Sequence, residues 1–85
     1  MPRVAFTGNL KRHVAAPETR AEGVSVGAVL DNVFAANPRL RGYVLDDQGR
    51  IRRHVNVWVN GNRATLESAV AADDEIYVFQ ALSGG

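Results

Sequence analysis

The sequence predicts an α+β domain in which one main helix lies across one face of a mixed sheet of four or five strands. Three patterns indicate this fold. Apolar residues recur at helical spacing over about 25–36, apolar and polar residues alternate over 3–7, 54–59 and 75–79, and Asn60-Gly61 follows the second alternating run. An Asn-Gly pair after such a run is the strongest short signal of a β-hairpin.

The first strand is predicted at Arg3–Thr7, where Val4 and Phe6 share one side. Alternation of this kind is typical of a half-buried strand. Gly8-Asn9 then indicates a turn. After Pro17, residues 19–22 form a weak, polar strand, and we expect it at an edge of the sheet because edges tolerate charge and proline.

The helix is predicted to begin after Ser25, a residue type that caps helix N-termini. Its apolar residues follow at i, i+3, i+4, i+7 and i+8, which is one stripe on a helix. They are Val26, Val29, Leu30, Val33 and Phe34. Asn37-Pro38 ends the helix, because a residue before proline avoids the α region.

The segment between the helix and the second alternating run gives mixed signals. A short helical turn is predicted from Leu40, Tyr43, Val44 and Leu45, and a loop follows at 46–49. Three arginines come next, interrupted by Ile51: Arg50, Arg52 and Arg53. We interpret them first as a solvated loop and strand edge. The functional alternative is a patch for an acidic partner or a phosphate.

The second half predicts a return strand at 63–66, a turn over 67–72, another turn at Asp73-Asp74 and a last strand at 75–79. The turn over 67–72 is expected to carry Leu66, Ala69 and Val70 inward. The residues expected to face the helix are Val4, Phe6, Val29, Leu30, Val33, Phe34, Val55, Val57, Val59, Ile76 and Val78.

The same alternation places Trp58, Tyr77 and Phe79 on the face of the sheet away from the helix. A single helix covers only one face, so these side chains are expected to form an exposed aromatic patch. Such patches mark binding surfaces, and we predict that this one docks partner proteins. The alternative is that residues 39–50 fold over part of it.

Composition narrows the functional classes. A chain of 85 residues forms one domain, and a net charge of +1 argues against a strong electrostatic binder of nucleic acid. Cysteine is absent, which excludes disulfides, thiolate metal sites and cysteine nucleophiles. His13 and His54 lack metal-site spacing. No apolar run is long enough to span a membrane and no signal peptide is visible, so we expect a cytoplasmic protein without a bound metal.

The last six residues, 80–85, are predicted to form a flexible tail after a domain at 1–79. Two glycines end the tail, Gly84 and Gly85, preceded by Leu82 and Ser83. Glycine has no Cβ, so a Gly-Gly end can pass through a narrow channel. This ending suits a protein that presents its terminal carboxylate to another enzyme.

These features together resemble the ubiquitin-like β-grasp sulfur carriers of the MoaD/ThiS family. The resemblance covers essentially the whole chain and is most specific at Gly84-Gly85, at the acidic turn Asp73–Glu75 and at the run Arg53–Asn60. That run looks closest to the branch that serves cysteine biosynthesis. Molybdopterin and thiamine pathways are the other branches. The weak strand before the helix matches poorly.

The resemblance implies a carrier that acts as a co-substrate of partner enzymes and is not itself an enzyme. An E1-like enzyme would use ATP to adenylate the Gly85 carboxylate, with Gly84 as a spacer. A sulfur donor, either a sulfurtransferase or sulfide, would then give a thiocarboxylate. An acceptor synthase, such as a pyridoxal phosphate enzyme holding an aminoacrylate, would receive the sulfur. No cofactor would be bound by the carrier.

Two other functions stay open at the level of sequence. A ubiquitin-like modifier would use the same adenylate to join Gly85 to a lysine of another protein. A plain binding module would use only the aromatic face. A self-contained enzyme is least supported, because no nucleophile, base and orienting group are recognisable as a set.

Overall fold

The computed structural model describes residues 1–8 and 18–80. Within them, seven elements follow one another in the chain, and the predicted α+β class is confirmed. They are β1 (Arg3–Gly8), β2 (Glu18–Arg20), α1 (Val26–Ala36), α2 (Pro38–Val44), β3 (Val55–Val59), β4 (Asn62–Arg63) and β5 (Glu75–Gln80). The predicted turn at Gly8-Asn9 is not tested, since Gly8 is the last residue of β1 and Asn9 lies outside the described residues.

The five strands form one mixed sheet in the order β2-β1-β5-β3-β4. The two central strands, β1 and β5, run parallel, with Val4 beside Ile76 and Phe6 beside Val78. The other pairs are antiparallel. The weak polar strand is confirmed as the edge strand β2, at Glu18–Arg20 rather than 19–22.

Helix α1 forms as its sequence predicts. Ser25 has extended backbone angles, and its hydroxyl accepts a 3.2 Å hydrogen bond from the amide of Ala28. This contact satisfies one of the amides that a helix N-terminus leaves without a partner. All five residues of the apolar stripe are buried. Asn37 ends the helix, and its amide donates to the carbonyl of Val33 at 3.0 Å.

The short helical turn predicted after Pro38 is a seven-residue helix, α2. Proline occupies its first turn, where a missing amide has no cost. Leu40, Val44 and Leu45 are buried in the core, whereas Tyr43 is exposed. Leu40 and Val44 lie four residues apart, and this spacing puts them on the same, buried face of α2.

One apolar core lies between the sheet and the helices, and ten of the eleven residues predicted to face the helix are buried in it. The exception is Val59, which is only partly buried because it lies at the end of β3. Val26, predicted in the apolar stripe, and Val70, predicted to point inward, are also buried in the core. The core residues that the prediction missed come mostly from α2 and its C-terminal end, and they are Ala21, Leu40, Val44 and Leu45.

Three boundaries or orientations differ from the prediction. Strand β4 covers only Asn62–Arg63, because the chain then turns so that the carbonyl of Leu66 accepts a hydrogen bond from Gly27. Ala69 is exposed instead of inward-facing, since it pairs with Ser25 in an extended bridge where adjacent side chains point to opposite sides. Gln80, expected as the first tail residue, is the last residue of β5.

Candidate docking face and tail base

The face of the sheet away from the helices, called the outer face here, carries Trp58, Tyr77 and Phe79. Strand pairing sets their arrangement. Trp58 lies directly opposite Tyr77, and Asn56 lies opposite Phe79. Tyr77 and Phe79 expose 37% and 40% of their surface, and Trp58 is half-buried. The structure therefore brings the three predicted aromatic side chains together on two neighbouring strands.

Residues 39–50 do not lie on the outer face. Their buried side chains, Leu40, Val44 and Leu45, belong to the core cluster together with Ile76 and Val78, on the helix side of the sheet. Since Ile76 and Val78 alternate with Tyr77 and Phe79 along β5, the two sets point to opposite faces. The alternative in which this segment covers the aromatic side chains is therefore wrong.

Polar groups hold one end of the outer face. The Tyr77 hydroxyl donates a 2.9 Å hydrogen bond to Glu75 Oε2, and the Arg3 guanidinium donates to the same oxygen. Glu18 on β2 lies 3.7 Å from Arg3. The hydrogen bonds from Arg3 and then Tyr77 lower the pKa of Glu75. The hydrogen bond to Glu75 raises the pKa of Tyr77, because it stabilises the protonated hydroxyl.

Arg63 borders the other side of the outer face. Its guanidinium donates a 2.6 Å hydrogen bond to Asn56 Oδ1 and lies 6.0 Å from the centre of the Trp58 ring. That distance is within the range of a cation–π contact. Trp58 is therefore framed by Tyr77 on one side and by Arg63 on the other. Arg63 was not among the predicted site residues, although a hairpin turn at Asn60-Gly61 would place Arg63 opposite Trp58.

The Asn60-Gly61 turn is confirmed, with φ of 51° at Asn60 and 84° at Gly61. Positive φ at both central residues is what the tight two-residue hairpin turn requires. Asn60 has a second role that sequence analysis missed. Its side chain donates to Asp74 Oδ1 at 2.8 Å and accepts from the amide of Glu75 at 3.0 Å. It thereby ties the hairpin to the start of β5.

The tail base is the end of β5. Gln80 lies between Gly8 of β1 and Val55 of β3, so the chain leaves the sheet from its centre. The predicted tail residues Leu82, Ser83, Gly84 and Gly85 lie outside the described residues, and their predicted role stays a prediction. His13 also lies outside them, and His54 is exposed in the turn before β3.

Among residues 1–8 and 18–80, no group of three or more His, Cys, Asp or Glu side chains is placed to hold a metal ion. In the same part of the chain, neither helix has the length and apolar character needed to cross a membrane.

Comparison with known proteins gives consistent matches over the whole fold. The ThiS family matches residues 4–85. Small archaeal modifier protein 1 of Haloferax volcanii is 43% identical over 61 residues, which is 72% of this chain and 70% of that protein. The crystal structure of SAMP1 from Haloferax volcanii superposes with a TM-score of 0.89 at 32% identity, covering 99% of this chain and 98% of the other.

Two bacterial structures share the fold at lower identity. A chain of the Amycolatopsis orientalis BexX/CysO complex gives a TM-score of 0.87 at 22% identity, with both chains fully covered. Mycobacterium tuberculosis CysO gives 0.84 at 24% identity, covering 96% of this chain and all of the other. With the family match over residues 4–85, the chain belongs to the ThiS family, whose members are small ubiquitin-like carrier and modifier proteins and not enzymes themselves.

Proposed function

We propose that this protein carries sulfur as a thiocarboxylate on Gly85. The observation that carries the proposal is that the ThiS match extends through Gly84-Gly85, beyond the strand β5. Gly85 follows Gln80 by five residues, a stretch that spans about 17 Å when extended. A tail of this length lets a partner's active site enclose Gly85 while the folded domain stays outside.

The proposed chemistry begins with activation, because a carboxylate is a poor electrophile. An E1-like partner joins the Gly85 carboxylate to AMP and releases pyrophosphate from ATP. Hydrosulfide then attacks the acyl carbon and expels AMP, which leaves a thiocarboxylate. If the donor is a persulfide of a sulfurtransferase, the acyl disulfide that forms first is cleaved by a thiol. No cofactor is held by the carrier in this scheme, and the need for ATP implies a cytoplasmic site of action.

The proposed acceptor is a biosynthetic enzyme, with cysteine synthesis preferred because of the Arg53–Asn60 run. There the thiocarboxylate sulfur attacks an aminoacrylate held on a pyridoxal phosphate enzyme, and hydrolysis later frees the carrier. This branch can be tested by mixing the purified thiocarboxylate form of the protein with such an enzyme and its substrate. Transfer to a molybdopterin or thiamine precursor instead would move the assignment to another branch.

Intact-mass spectrometry tests the carrier function. The protein is incubated with an E1-like enzyme of the same organism, ATP and sulfide, and then treated with iodoacetamide. Because the chain contains no cysteine, mild alkylation reports the thiocarboxylate with little background. We expect one oxygen replaced by sulfur, with the label at Gly85 and none in a Gly85 deletion. Unlabelled protein with every such enzyme of the organism would contradict the proposal.

Conjugation to other proteins is a second candidate function, favoured by the similarity to a protein named a small archaeal modifier. No lysine or arginine follows Arg63, so trypsin would leave residues 64–85 on a modified lysine. A Ser83→Arg variant would shorten this remnant to Gly84-Gly85, which is readily mapped. Lysines carrying the remnant in cells that express the variant, and not in cells that express its Gly85 deletion, would establish conjugation.

A further inference from the structure

A groove opens beside the start of β3, at the side of the sheet where β4 is short. Its volume is about 350 Å³, and three arginines line it together with Asn56 and Thr65. These arginines are Arg52, Arg53 and Arg63. We call this feature the arginine groove. It adjoins the outer face, because Asn56 and Arg63 belong to both.

Two of the three arginines are held in place by neutral partners. Arg52 Nε donates a 2.7 Å hydrogen bond to the carbonyl of Gly42, and Arg63 donates to Asn56. Arg53 is exposed, and in the described part of the chain it makes no hydrogen bond or ion pair. Over the same residues, none of the three forms an ion pair with a carboxylate. Their charge is therefore not neutralised by contact with an acidic side chain.

The arginine groove lies next to the tail base. Val55, one of its lining residues, pairs with Gln80, the last residue of β5, and Arg53 is two residues before Val55. The carboxylates of Asp74 and Glu75 lie at the opposite end of β5, where Arg3 forms an ion pair with Glu75. The groove therefore places arginine charge beside the strand end from which the tail leaves.

The length of the tail limits which part of a partner enzyme the groove can contact. Five residues separate Gln80 from Gly85, and they span at most about 17 Å. If a channel holds the tail extended, as the proposed function assumes, the phosphates of an adenylate on Gly85 lie about that far from the end of β5 and beyond the reach of these arginines. Protein surface around the mouth of the channel that takes the tail is at the right distance.

We propose that the arginine groove binds a carboxylate-rich segment at the mouth of the enzyme channel that receives the tail. This inference rests on the proposed function, since it assumes that the tail enters such a channel. Guanidinium groups bind carboxylates through paired hydrogen bonds, which orient as well as attract. Charges at the edge of an interface mainly increase the association rate. The groove thus guides the tail into its channel.

Kinetics with the E1-like enzyme test the proposal through Arg53→Glu. Arg53 is exposed and makes no hydrogen bond or ion pair with the described residues, so the variant is expected to fold normally. In ATP–pyrophosphate exchange, we expect its KM for the carrier to rise about 3- to 10-fold with kcat unchanged, and its dependence on salt to weaken. Arg53→Lys keeps the charge but not the paired hydrogen bonds, so its KM should lie between those of wild type and Arg53→Glu. Arg39→Glu on α2, with the same change of charge outside the groove, is the matched control.

If KM and its salt dependence are unchanged in Arg53→Glu while wild-type protein is fully active, the groove does not bind the enzyme, and the proposed carrier function is unaffected. An equal rise in KM for Arg39→Glu would also contradict the proposed role of the groove, because the effect would then depend on net charge alone. If wild-type protein is not activated at all, the proposed function fails, and a binding measurement must decide on the groove.

That measurement is a titration of ¹⁵N-labelled protein with hexaglutamate. We expect the largest shifts at Arg53, Asn56 and Thr65, and their loss in Arg53→Glu but not in Arg39→Glu. The proposal is contradicted if hexaglutamate causes no chemical-shift changes, or if the change at Arg39 is as large as the changes at the groove residues. A short oligothymidylate that binds the same residues more strongly than hexaglutamate also contradicts it, because the groove would then be a nucleic-acid site.

Discussion

Tyr77 and Glu75 lie two residues apart on β5 and are joined by a 2.9 Å hydrogen bond from the tyrosine hydroxyl to the carboxylate. Arg3 on β1 donates to the same carboxylate oxygen. One acidic side chain thus orients an aromatic residue of the outer face and connects the two central strands of the sheet. The docking surface and the stability of the sheet therefore share a residue.

Glu75→Gln is expected to lower the free energy of unfolding at neutral pH. It should also make that free energy less sensitive to a fall in pH. The folded state lowers the pKa of Glu75, so its contribution is present above the unfolded value of about 4.3 and is lost as pH falls through the folded pKa. Urea unfolding should show wild type more stable than the variant at pH 7, and the difference should shrink as pH falls through the lowered folded-state pKa of Glu75.

Asp31→Asn on the exposed side of α1 is the control for this experiment, because it removes a carboxylate that makes no described hydrogen bond. The difference between its free energy of unfolding and that of wild type should be the same at pH 7 and at lower pH. If Glu75→Gln matched wild type at pH 7, the contacts from Arg3 and Tyr77 would not stabilise the fold.

Phe79→Ala is expected to weaken binding to partner enzymes. Phe79 is 40% exposed on the outer face and close to the end of β5, so truncation removes contact area at the base of the tail. Aromatic anchors at interfaces contribute about 2 kcal/mol or more, which corresponds to a loss of affinity of roughly 30-fold. Calorimetric titration with the E1-like enzyme measures the change, and Trp58→Ala should act in the same direction.

Tyr43→Ala provides a matched control, since Tyr43 is 39% exposed but lies on α2 in the helix layer. Its affinity should equal that of wild type. Equal losses for Phe79→Ala and Tyr43→Ala would place the binding surface elsewhere. No loss for either Phe79→Ala or Trp58→Ala would remove the outer face from consideration.

Periodicity predicted the elements whose two sides differ in environment. The stripe of α1 and the alternation of Ile76, Tyr77, Val78 and Phe79 both follow from burial on one side and solvent on the other, so they are visible in sequence. This is why the core and the outer face could be assigned residue by residue. Helix α2 was harder to delimit, because seven residues contain too few turns for a clear period.

Contacts between distant segments could not be predicted in the same way. Arg3 and Glu75 are separated by 72 residues, and their contact exists only because β1 and β5 run parallel. Arg52 and Arg53 were predicted only as exposed charged residues. That they lie close to Arg63 depends on where β4 ends, and the end predicted from the sequence was three residues too late. Such sites depend on the order of the strands in the sheet, which local periodicity does not encode.

Asn60→Ala is expected to destabilise the fold by about 3 kcal/mol. The substitution removes the hydrogen bonds to Asp74 and Glu75, each contributing about 1 kcal/mol, and places a residue with a Cβ and no polar side chain at φ of 51°, which costs about 1 kcal/mol more. Asn60→Gly keeps the backbone angle accessible and should recover only that last contribution, about 1 kcal/mol. Urea unfolding of both variants separates the two contributions. Equal losses would mean that only the side-chain hydrogen bonds matter.

Gly23→Ala is expected to be the most damaging small substitution in the segment before α1. Gly23 has φ of 154°, and an added Cβ would lie 2.6 Å from the backbone nitrogen of Val29 and 2.8 Å from its Cγ2. Neither atom can move away, because Val29 is buried in the core. Overpacking and backbone strain each cost roughly 1–3 kcal/mol, so we expect a loss of at least about 2 kcal/mol.

For a domain of this size, that loss lowers the melting temperature by about 8–16 °C.

Gly42→Ala is the same chemical change, but we expect it to have the opposite effect on stability. Gly42 lies within α2 with open space around its Cα, so alanine there should stabilise the helix by about 0.5–1 kcal/mol. Thermal unfolding of the two variants side by side is the measurement. A stable Gly23→Ala protein would mean that the start of α1 can shift, and with it the amide contacts of Val26 and Gly27 to Ser68 and Leu66.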